Sequence, residues 1–544
     1  MFNLLEERWL PIVRADGSEG VIAPWELAAG DNPPKDLAPP RPDFRAALME
    51  FLVGLLQTVR PPETAGEWER LHEEPPAPDE LRAAMEPHKS FFNLFGERPL
   101  FMQDFELPPG TPKDANDVAA LLIDSPGGNT LKNSGDFFIK RGFVKAMCPA
   151  CAAMALFTLQ TFAPSGGKGH RTSLRGGGPL STLVEGGTLW EKVWRNVLPQ
   201  NASVHEVAAA PGPDGLAGAV YPWGAPTRTS EKGEETHPGD VHPLHAYWGM
   251  PRRILLIPDE EAGPVQCDLC AASSRTVVRR YVTRPSGYNY GGTWRHPLTP
   301  YRHQGQDKDA YSVKGMANIA GYSHWLGVVY GQFDDRTRDG KGIARAACVA
   351  NAMELFDDPE TRELLAEPEF GLTVRASGFD MDNMKARQWC ESEFPAYHVP
   401  EERLADFRLA VDMFVAAADQ VRRNLVGALK DALVHEAAKS QAKIDATVFD
   451  NAGTAFWGAT EKGFYHLTRR LAECEDYGEA EPFRIEWADI LAKTAVERFH
   501  AEVERFQVQP ERIKRQVQAW RSMRNFNRAA LAKILELPTE RGSK

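Results

Sequence analysis

Cysteine is scarce in this sequence, which has seven cysteines among 544 residues. They are too few and too unevenly spread for a disulfide scaffold, so any paired cysteines are more often metal ligands or redox groups. With 42% apolar and 25% charged residues, the chain has an ordinary globular composition. Its length exceeds what one hydrophobic core usually supports, which predicts at least two domains and excludes a small binding module.

Long apolar runs are also missing. The most apolar stretch, residues 44–59, contains Arg45 and Glu50, so it predicts a buried or amphipathic helix and no membrane span. The first residues lack the basic region and the long apolar region of a secretory signal. We therefore expect a cytoplasmic protein that does not contact membranes.

Positive charge is in overall deficit. The 63 basic and 75 acidic residues give a formal net charge of -12, which by itself argues against a nucleic-acid partner. Two segments depart from this average, because residues 131–175 and residues 271–306 each carry a net charge of +6. Their basic residues are Lys132, Lys140, Arg141, Lys145, Lys168, Arg171 and Arg175, then Arg275, Arg279, Arg280, Arg284, Arg295 and Arg302.

Aromatic residues accompany these cations. A surface that mixes cations and planar rings suits the phosphates and bases of a nucleic acid. A basic loop that only compensates the acidic remainder of its domain is the alternative interpretation. The rings that we expect on such a surface are Phe138, Tyr281, Tyr288, Tyr290 and Trp294.

Four of the seven cysteines form two CxxC pairs, Cys148 with Cys151 and Cys267 with Cys270. This spacing lets both sulfurs of a pair reach one tetrahedral zinc ion, and two pairs complete a closed, structural site. A redox pair is the alternative, but it lacks a βαβ context and leaves the other pair unexplained. We predict a structural zinc ion that brings the two basic segments together.

A glycine-rich stretch, residues 165–171, resembles a phosphate-binding loop. It lacks the spacing of a P-loop, so nucleotide hydrolysis has no support here. Its glycines instead permit the close approach of backbone N–H groups to a ligand, including base edges in a narrow minor groove.

Two constellations could belong to an enzyme. His237, Asp240, His242 and His245 lie in an irregular loop interrupted by prolines, without the helical spacing of a zinc protease. Residues 380 and 382 are aspartates that could bind Mg²⁺, although the surrounding residues also indicate a turn. The functional alternative is therefore a stand-alone zinc-stapled nucleic-acid-processing enzyme.

The pattern of predicted secondary structure changes near residue 400. Residues 1–398 mix short strands, helices and long loops without a repeat, which predicts a large, irregular α+β domain. Beyond it, apolar residues recur at spacings of three and four from Phe407 to Leu429, and helical stretches follow at 443–474, 483–508 and 510–537. Residues 399–544 are therefore predicted to form an antiparallel four-helix bundle.

The order of these motifs resembles the CasA family, whose members are the large subunit of the type I-E CRISPR effector complex Cascade. The resemblance runs from the first residues to the bundle. It rests on residues 3–13, residues 99–103, the two CxxC pairs, the Ser-Leu-Arg-Gly-Gly-Gly-Pro turn at 173–179, residues 294–297 and the terminal bundle.

The resemblance implies a non-catalytic subunit. Such a subunit recognises the protospacer-adjacent motif (PAM) in double-stranded DNA, aids duplex opening and R-loop formation, and recruits a helicase-nuclease. Its other implied partners are the crRNA 5′ handle and the remaining Cascade subunits. In such a complex guide pairing reads the target, so the protein needs to read only a short duplex element.

The resemblance also assigns roles to residues. It places a guide and DNA loop at Phe138 and Lys140. A wedge that splits the first base pairs falls near Asn383, and Arg284 is the nearest substitute for a lysine finger. The remaining PAM-binding residues implied are Gly166, Gly167, Lys168 and Gly169.

Overall fold

The structure is a computed structural model that describes residues 2–109, 115–126, 132, 142–167, 169–305, 308–316, 321–332, 341–365, 371–382, 384–433, 446–475, 480–505 and 513–538. The chain divides into two compact units. The first consists of Met1–Ala317 and Phe333–Glu393, and the second of Asn318–Gln332 and Phe394–Lys544. The sequence division at residue 398 had assigned Asn318–Gln332 to the N-terminal domain, whereas its contacts group it with the helical unit.

The described strands range from two to 14 residues and belong to five small sheets, ordered β1-β5, β3-β2-β4, β6-β9-β8, β14-β13-β7 and β11-β10-β12. This is the irregular α+β architecture that the sequence predicts. The strands are β1 Phe2–Asn3, β2 Leu10–Arg14, β3 Glu19–Ile22, β4 Pro34–Leu37, β5 Asn93–Phe95, β6 Ala115–Asp117, β7 Ser181–Val184, β8 Arg253–Gln266, β9 Ser273–Arg284, β10 Tyr301–Gln304, β11 Tyr311–Ser312, β12 Lys341–Ala344, β13 Leu372–Asp382 and β14 Lys385–Ala396.

The helices of the first unit pack among these sheets. The α-helices are α1 Pro42–Val59, α2 Ala65–Glu73, α3 Pro78–Met85, α4 Pro149–Phe162, α5 Leu189–Trp194, α7 Ala347–Asp357 and α8 Pro359–Leu365. Short 3-10 helices occupy Pro24–Glu26, Glu86–Phe92, Val118–Leu121, Pro213–Gly215, Pro222–Gly224, Pro238–Asp240 and Pro243–Trp248.

Helix α1 forms the centre of the first unit. Nearly all of its residues are buried, so the apolar stretch of the sequence is a core helix. Phe51 lies at its middle, and five aromatic rings approach it edge-on at centroid distances of 5.6 to 6.1 Å. Such edge-to-face packing is a favoured geometry of aromatic pairs. Among the described helices, none is both long enough and apolar enough to cross a membrane.

The charged residue Glu50 of α1 has a buried partner. Its carboxylate lies 2.7 Å from Nη2 of Arg175, and Nη1 of Arg175 donates to the hydroxyls of Ser181 and Thr299. A buried charge needs such a partner because its desolvation is costly. Arg175 therefore belongs to the core, which contradicts its assignment to a basic surface.

The second unit contains the predicted four-helix bundle. Its long helices are α9 Glu401–Leu433, α10 Ala446–Glu473, α11 Glu481–Arg505 and α12 Ile513–Ile534, and α9 packs against the other three. The apolar stripe predicted from Phe407 to Leu429 is buried in α9. Residues 321–332 carry the 3-10 helix Tyr322–His324 and helix α6, Trp325–Val329. Tyr322 stacks on Phe464 with ring centroids 4.0 Å apart, which explains their grouping with the bundle.

Candidate metal centre and nucleic-acid interface

The four CxxC cysteines converge. Cys148 is the N-cap of α4 and Cys151 lies in its first turn, while Cys267 and Cys270 lie in the turn between β8 and β9. All four Sγ atoms lie within 4.8 Å of one another, and those of Cys148 and Cys270 are 3.7 Å apart. Four thiolates about 2.3 Å from one tetrahedral zinc ion would lie about 3.8 Å apart, so the spacing fits such an ion.

The four thiols share hydrogen bonds, which shift their pKa values in opposite directions. The hydrogen bond from Cys148 lowers the pKa of Cys270 to about 7 and lowers that of Cys267, whereas the pKa values of Cys148 and Cys151 are raised. Thiolates are the form in which cysteine binds metals. Among the described residues, this is the one group of three or more cysteine, histidine or acidic side chains that could hold a metal ion.

Backbone contacts hold the two halves of the cluster together. Oδ2 of Asp268 accepts hydrogen bonds from the backbone N–H groups of Lys145, at 2.6 Å, and Ala146, at 2.8 Å. Met147 and Val278 exchange two backbone hydrogen bonds of 3.0 and 2.8 Å. The segment that precedes the first CxxC pair therefore adjoins β9. Our sequence reasoning missed Asp268, although an acid inside a CxxC turn was a visible signal.

The glycine-rich stretch forms a tight loop in its described residues, 165–167, 169 and 170, which are here called the glycine loop. Gly166 N donates to His170 O at 3.1 Å, and His170 N donates to Gly167 O at 3.0 Å. Gly167 and Gly169 have φ angles of +66° and +81°, a region that side chains disfavour. Lys168 lies outside the described residues.

The end of β9 lies beside the glycine loop. Ser286 N donates to Gly169 O at 2.8 Å, and a Cβ added to Gly169 would lie 3.3 Å from Cβ of Pro285. Arg284, which precedes Pro285, is exposed. Nε of Arg171 donates to the hydroxyl of Ser230 at 2.9 Å and so ties the base of the loop to a neighbouring segment.

The tip of the β13–β14 hairpin reaches the same place. Met384 is 54% exposed, and its sulfur lies 4.0 Å from a Cβ added to Gly167. Asn383, the expected wedge, precedes Met384 and lies outside the described residues, as do Phe138 and Lys140. The structure thus brings the glycine loop, Arg284 and Met384 together, and we call these residues the open surface.

The rings that were expected on the nucleic-acid-binding surface are largely buried where the structure describes them. Tyr281, Tyr288 and Trp294 are 6%, 1% and 6% exposed, so they are core residues and cannot stack on bases. Tyr290 stacks on Tyr288 with ring centroids 5.7 Å apart, and its hydroxyl lies 3.1 Å from Nε2 of His245. The sequence interpretation was wrong here because large rings gain most from burial, and adjacency to arginines in sequence does not place them at the surface.

In the structure, acidic residues outside the second basic segment offset part of its positive charge. The segment itself has no acid, but β8 pairs with β9 and supplies acids across the hairpin. Arg279 of β9, for example, lies 2.7 Å from Glu261 of β8. Arg279 is therefore neutralised, whereas Arg275, Arg280 and Arg284 of β9 have no ion pair among the described residues.

The two enzyme-like constellations serve structural contacts. His245 is fully buried between Ala219 O and the Tyr290 hydroxyl, and burial lowers its pKa to about 4. Asp240 caps the turn that begins at His237, accepting from its backbone N–H at 2.8 Å. Asp380 is buried and lies 2.8 Å from Nη2 of Arg387.

Comparison with known protein families identifies the family of this chain. Residues 3–497 match the family model of CRISPR-associated protein Cse1. The chain belongs to the Cse1 family. The resemblance drawn from motif order is thereby confirmed at the level of the family.

Solved structures of Cse1 proteins share the fold. Thermobifida fusca Cse1 matches with a TM-score of 0.69 at 17% identity, over 98% of both chains. CasA from Thermus thermophilus matches with a TM-score of 0.66 at 20% identity, over 98% of this chain and 99% of that one. A chain of a CRISPR RNA-guided surveillance complex matches with a TM-score of 0.65 at 18% identity, over 97% and 99%.

Proposed function

We propose that this Cse1-family chain is the non-catalytic large subunit of a type I-E CRISPR surveillance complex. In this role it recognises the PAM in double-stranded DNA, aids duplex opening and R-loop formation, and recruits the helicase-nuclease. Its partners are the DNA duplex, the crRNA 5′ handle and the other Cascade subunits. The observation that supports this proposal most is that the glycine loop, Arg284 and Met384 lie close together and form the open surface.

The chemistry of the open surface suits duplex DNA. Two glycines with positive φ leave the backbone without side chains that would block a groove edge. Arg284 is exposed and supplies a cation for a phosphate or a base edge. An exposed methionine such as Met384 is the kind of apolar side chain that enters between base steps, at a cost of a few kcal/mol of unstacking.

The cysteine cluster lies where α4 and β9 begin, and both elements end near the open surface. We propose that it holds a structural zinc ion, because four converging thiols leave no open position for water or substrate. Zinc would supply a fixed tetrahedral link between the start of α4 and the β8–β9 turn. The residues that would hold it are Cys148, Cys151, Cys267 and Cys270.

A salt-dependent binding assay tests the DNA-binding proposal. In the assembled complex, replacing Lys140, Lys168 and Arg284 with alanine should weaken duplex binding. It should also reduce the slope of log affinity against log salt by about one for each phosphate contact that is lost. Arg275→Ala is the control, because this exposed arginine lies near the other end of β9. Unchanged binding by the triple variant would contradict the proposal.

A cleavage assay addresses the alternative of a zinc-stapled nucleic-acid-processing enzyme. The purified chain, incubated with Mg²⁺ and duplex or single-stranded DNA, should leave both intact. Mg²⁺-dependent cleavage that disappears in Asp380→Asn would favour the enzyme. The ion pair of Asp380 with Arg387 argues instead for a structural role of this carboxylate.

A further inference from the structure

Arg252 is a largely buried cation beneath the glycine loop. Its neighbour Arg253 is paired with Asp104 at 2.7 Å and with Glu231 at 3.7 Å. Arg252 has no ion pair among the described residues, and its buried Nε has no hydrogen-bond partner there. Burial lowers the pKa of Arg252 to about 10, so its side chain remains charged at neutral pH. A buried, unpaired charge is costly and calls for an explanation.

The backbone of Arg252 is fixed by a single amide. The side-chain oxygen of Gln160, near the end of α4, accepts from Arg252 N at 2.9 Å, and its Nε2 donates to Arg252 O at 2.9 Å. The same Nε2 also donates to Met102 O at 3.1 Å. The start of β8 is therefore locked to α4, and the direction of the Arg252 side chain is set from there.

The guanidinium of Arg252 supports the loop from inside. Its Nη2 donates to the carbonyl oxygen of Pro164, which directly precedes the glycine loop. A Cβ added to Gly166 would collide with Nη1 of Arg252 and with Cβ of His170. A side chain at position 166 would thus have to displace both the guanidinium of Arg252 and Cβ of His170. This differs from the sequence interpretation, in which every glycine of the loop admitted a ligand.

We propose that Arg252 is a positioning residue for PAM recognition, which braces the glycine loop from its inner side through Pro164 and Gly166. This inference rests on the proposed function, since the loop is useful only if it contacts the motif. Arg252 acts through the loop and does not touch DNA. Its unpaired state follows, because a carboxylate beside it would place negative charge under a surface that receives phosphates.

Hydrogen exchange of the full-length isolated chain tests the bracing without DNA. Arg252→Met removes the donor to Pro164 while it keeps a long apolar stem. The amides of Gly166 and His170, which are hydrogen-bonded within the loop, should then exchange about tenfold faster or more. Arg252→Lys, which retains a charged donor, should restore most of the protection. The exchange rates of the two peptides that contain Met147 and Val278 should not change.

Duplex binding by the assembled complex tests the consequence. The ratio of affinities for targets with and without the motif should fall about tenfold in Arg252→Met and recover in part in Arg252→Lys. The salt slope should stay as in the wild type, because no phosphate contact is lost. Arg275→Ala should leave both quantities unchanged.

The outcomes are distinct. Unchanged exchange in the loop, or an unchanged affinity ratio in Arg252→Met, would overturn the proposal. A salt slope shallower by about one would also overturn it, because Arg252 would then contact a phosphate directly. If the wild-type complex with and without this chain showed no preference for any motif, the proposed function itself would fail, whatever Arg252 does in the exchange experiment.

Discussion

The two ends of the β8–β9 hairpin differ in their chemistry. At the turn, Cys267 and Cys270 face the cysteines of α4, and Asp268 closes the junction with two backbone hydrogen bonds. At the other end, Arg284 is exposed, and the neighbouring loop presents glycines with little side-chain cover. At the turn, the thiols and the Asp268 carboxylate contact one another or neighbouring backbone groups, which suits a fixed joint. At the opposite end, Arg284 and the glycine loop remain available to bind a partner.

Both ends are connected by the same elements. Helix α4 begins directly after Cys148 and ends at Phe162, shortly before the glycine loop. Strand β9 begins shortly after Cys270 and ends at Arg284. A rigid joint at the cysteines therefore helps to determine where the open surface lies. We therefore expect substitutions at the turn end to act mainly on stability and substitutions at the open end to act mainly on the proposed recognition.

Loss of a cysteine should have the largest effect. Cys267→Ser should reduce the metal content from one ion per chain to none and lower the free energy of unfolding by several kcal/mol, because a structural metal contributes its binding energy to folding. Elemental analysis and denaturant unfolding measure the two quantities. Cys390→Ser, outside the cluster, is the control and should change neither. A full metal content in Cys267→Ser would contradict the four-thiolate joint.

Asp268 should matter less, and through hydrogen bonds alone. Asp268→Ala leaves the N–H groups of Lys145 and Ala146 without their acceptor, at a cost of about 1–2 kcal/mol in the free energy of unfolding. Asp268→Asn retains an acceptor oxygen and should cost less than half of that. Both variants should keep their metal. A stability of Asp268→Ala equal to wild type in denaturant unfolding would show that the carboxylate does not hold the junction.

At the open end, a substitution should affect stability no more than Asp268→Ala does and should act mainly on binding. Gly169→Ala places a side chain at a φ of +81°, which costs about 1–2 kcal/mol, and brings its Cβ close to Pro285. Thermal unfolding should therefore shift only slightly, whereas motif-dependent duplex binding should fall clearly. Gly239→Ala, where an added Cβ meets nothing within 4 Å, is the control. A large loss of stability with normal binding would reverse the assignment of the two ends.

Local patterns in the sequence predicted the parts of this molecule that depend on spacing. The CxxC pairs gave the cysteine cluster, and the three-and-four periodicity after residue 400 gave the bundle, because both signals lie within a few residues of chain. Arg175 was misassigned because its partner Glu50 is 125 residues away. The buried tyrosines and the role of Arg252 were likewise out of reach, since they depend on which segments pack together.

The most direct test is equilibrium binding of the guide-loaded complex, with and without this chain, to duplexes that differ only beside the target. Measured across a salt series, the complex with the chain should prefer one adjacent sequence by at least about tenfold. The complex without it should show no preference and a shallower salt dependence. Equal discrimination in both complexes would contradict the claim that the open surface reads the motif.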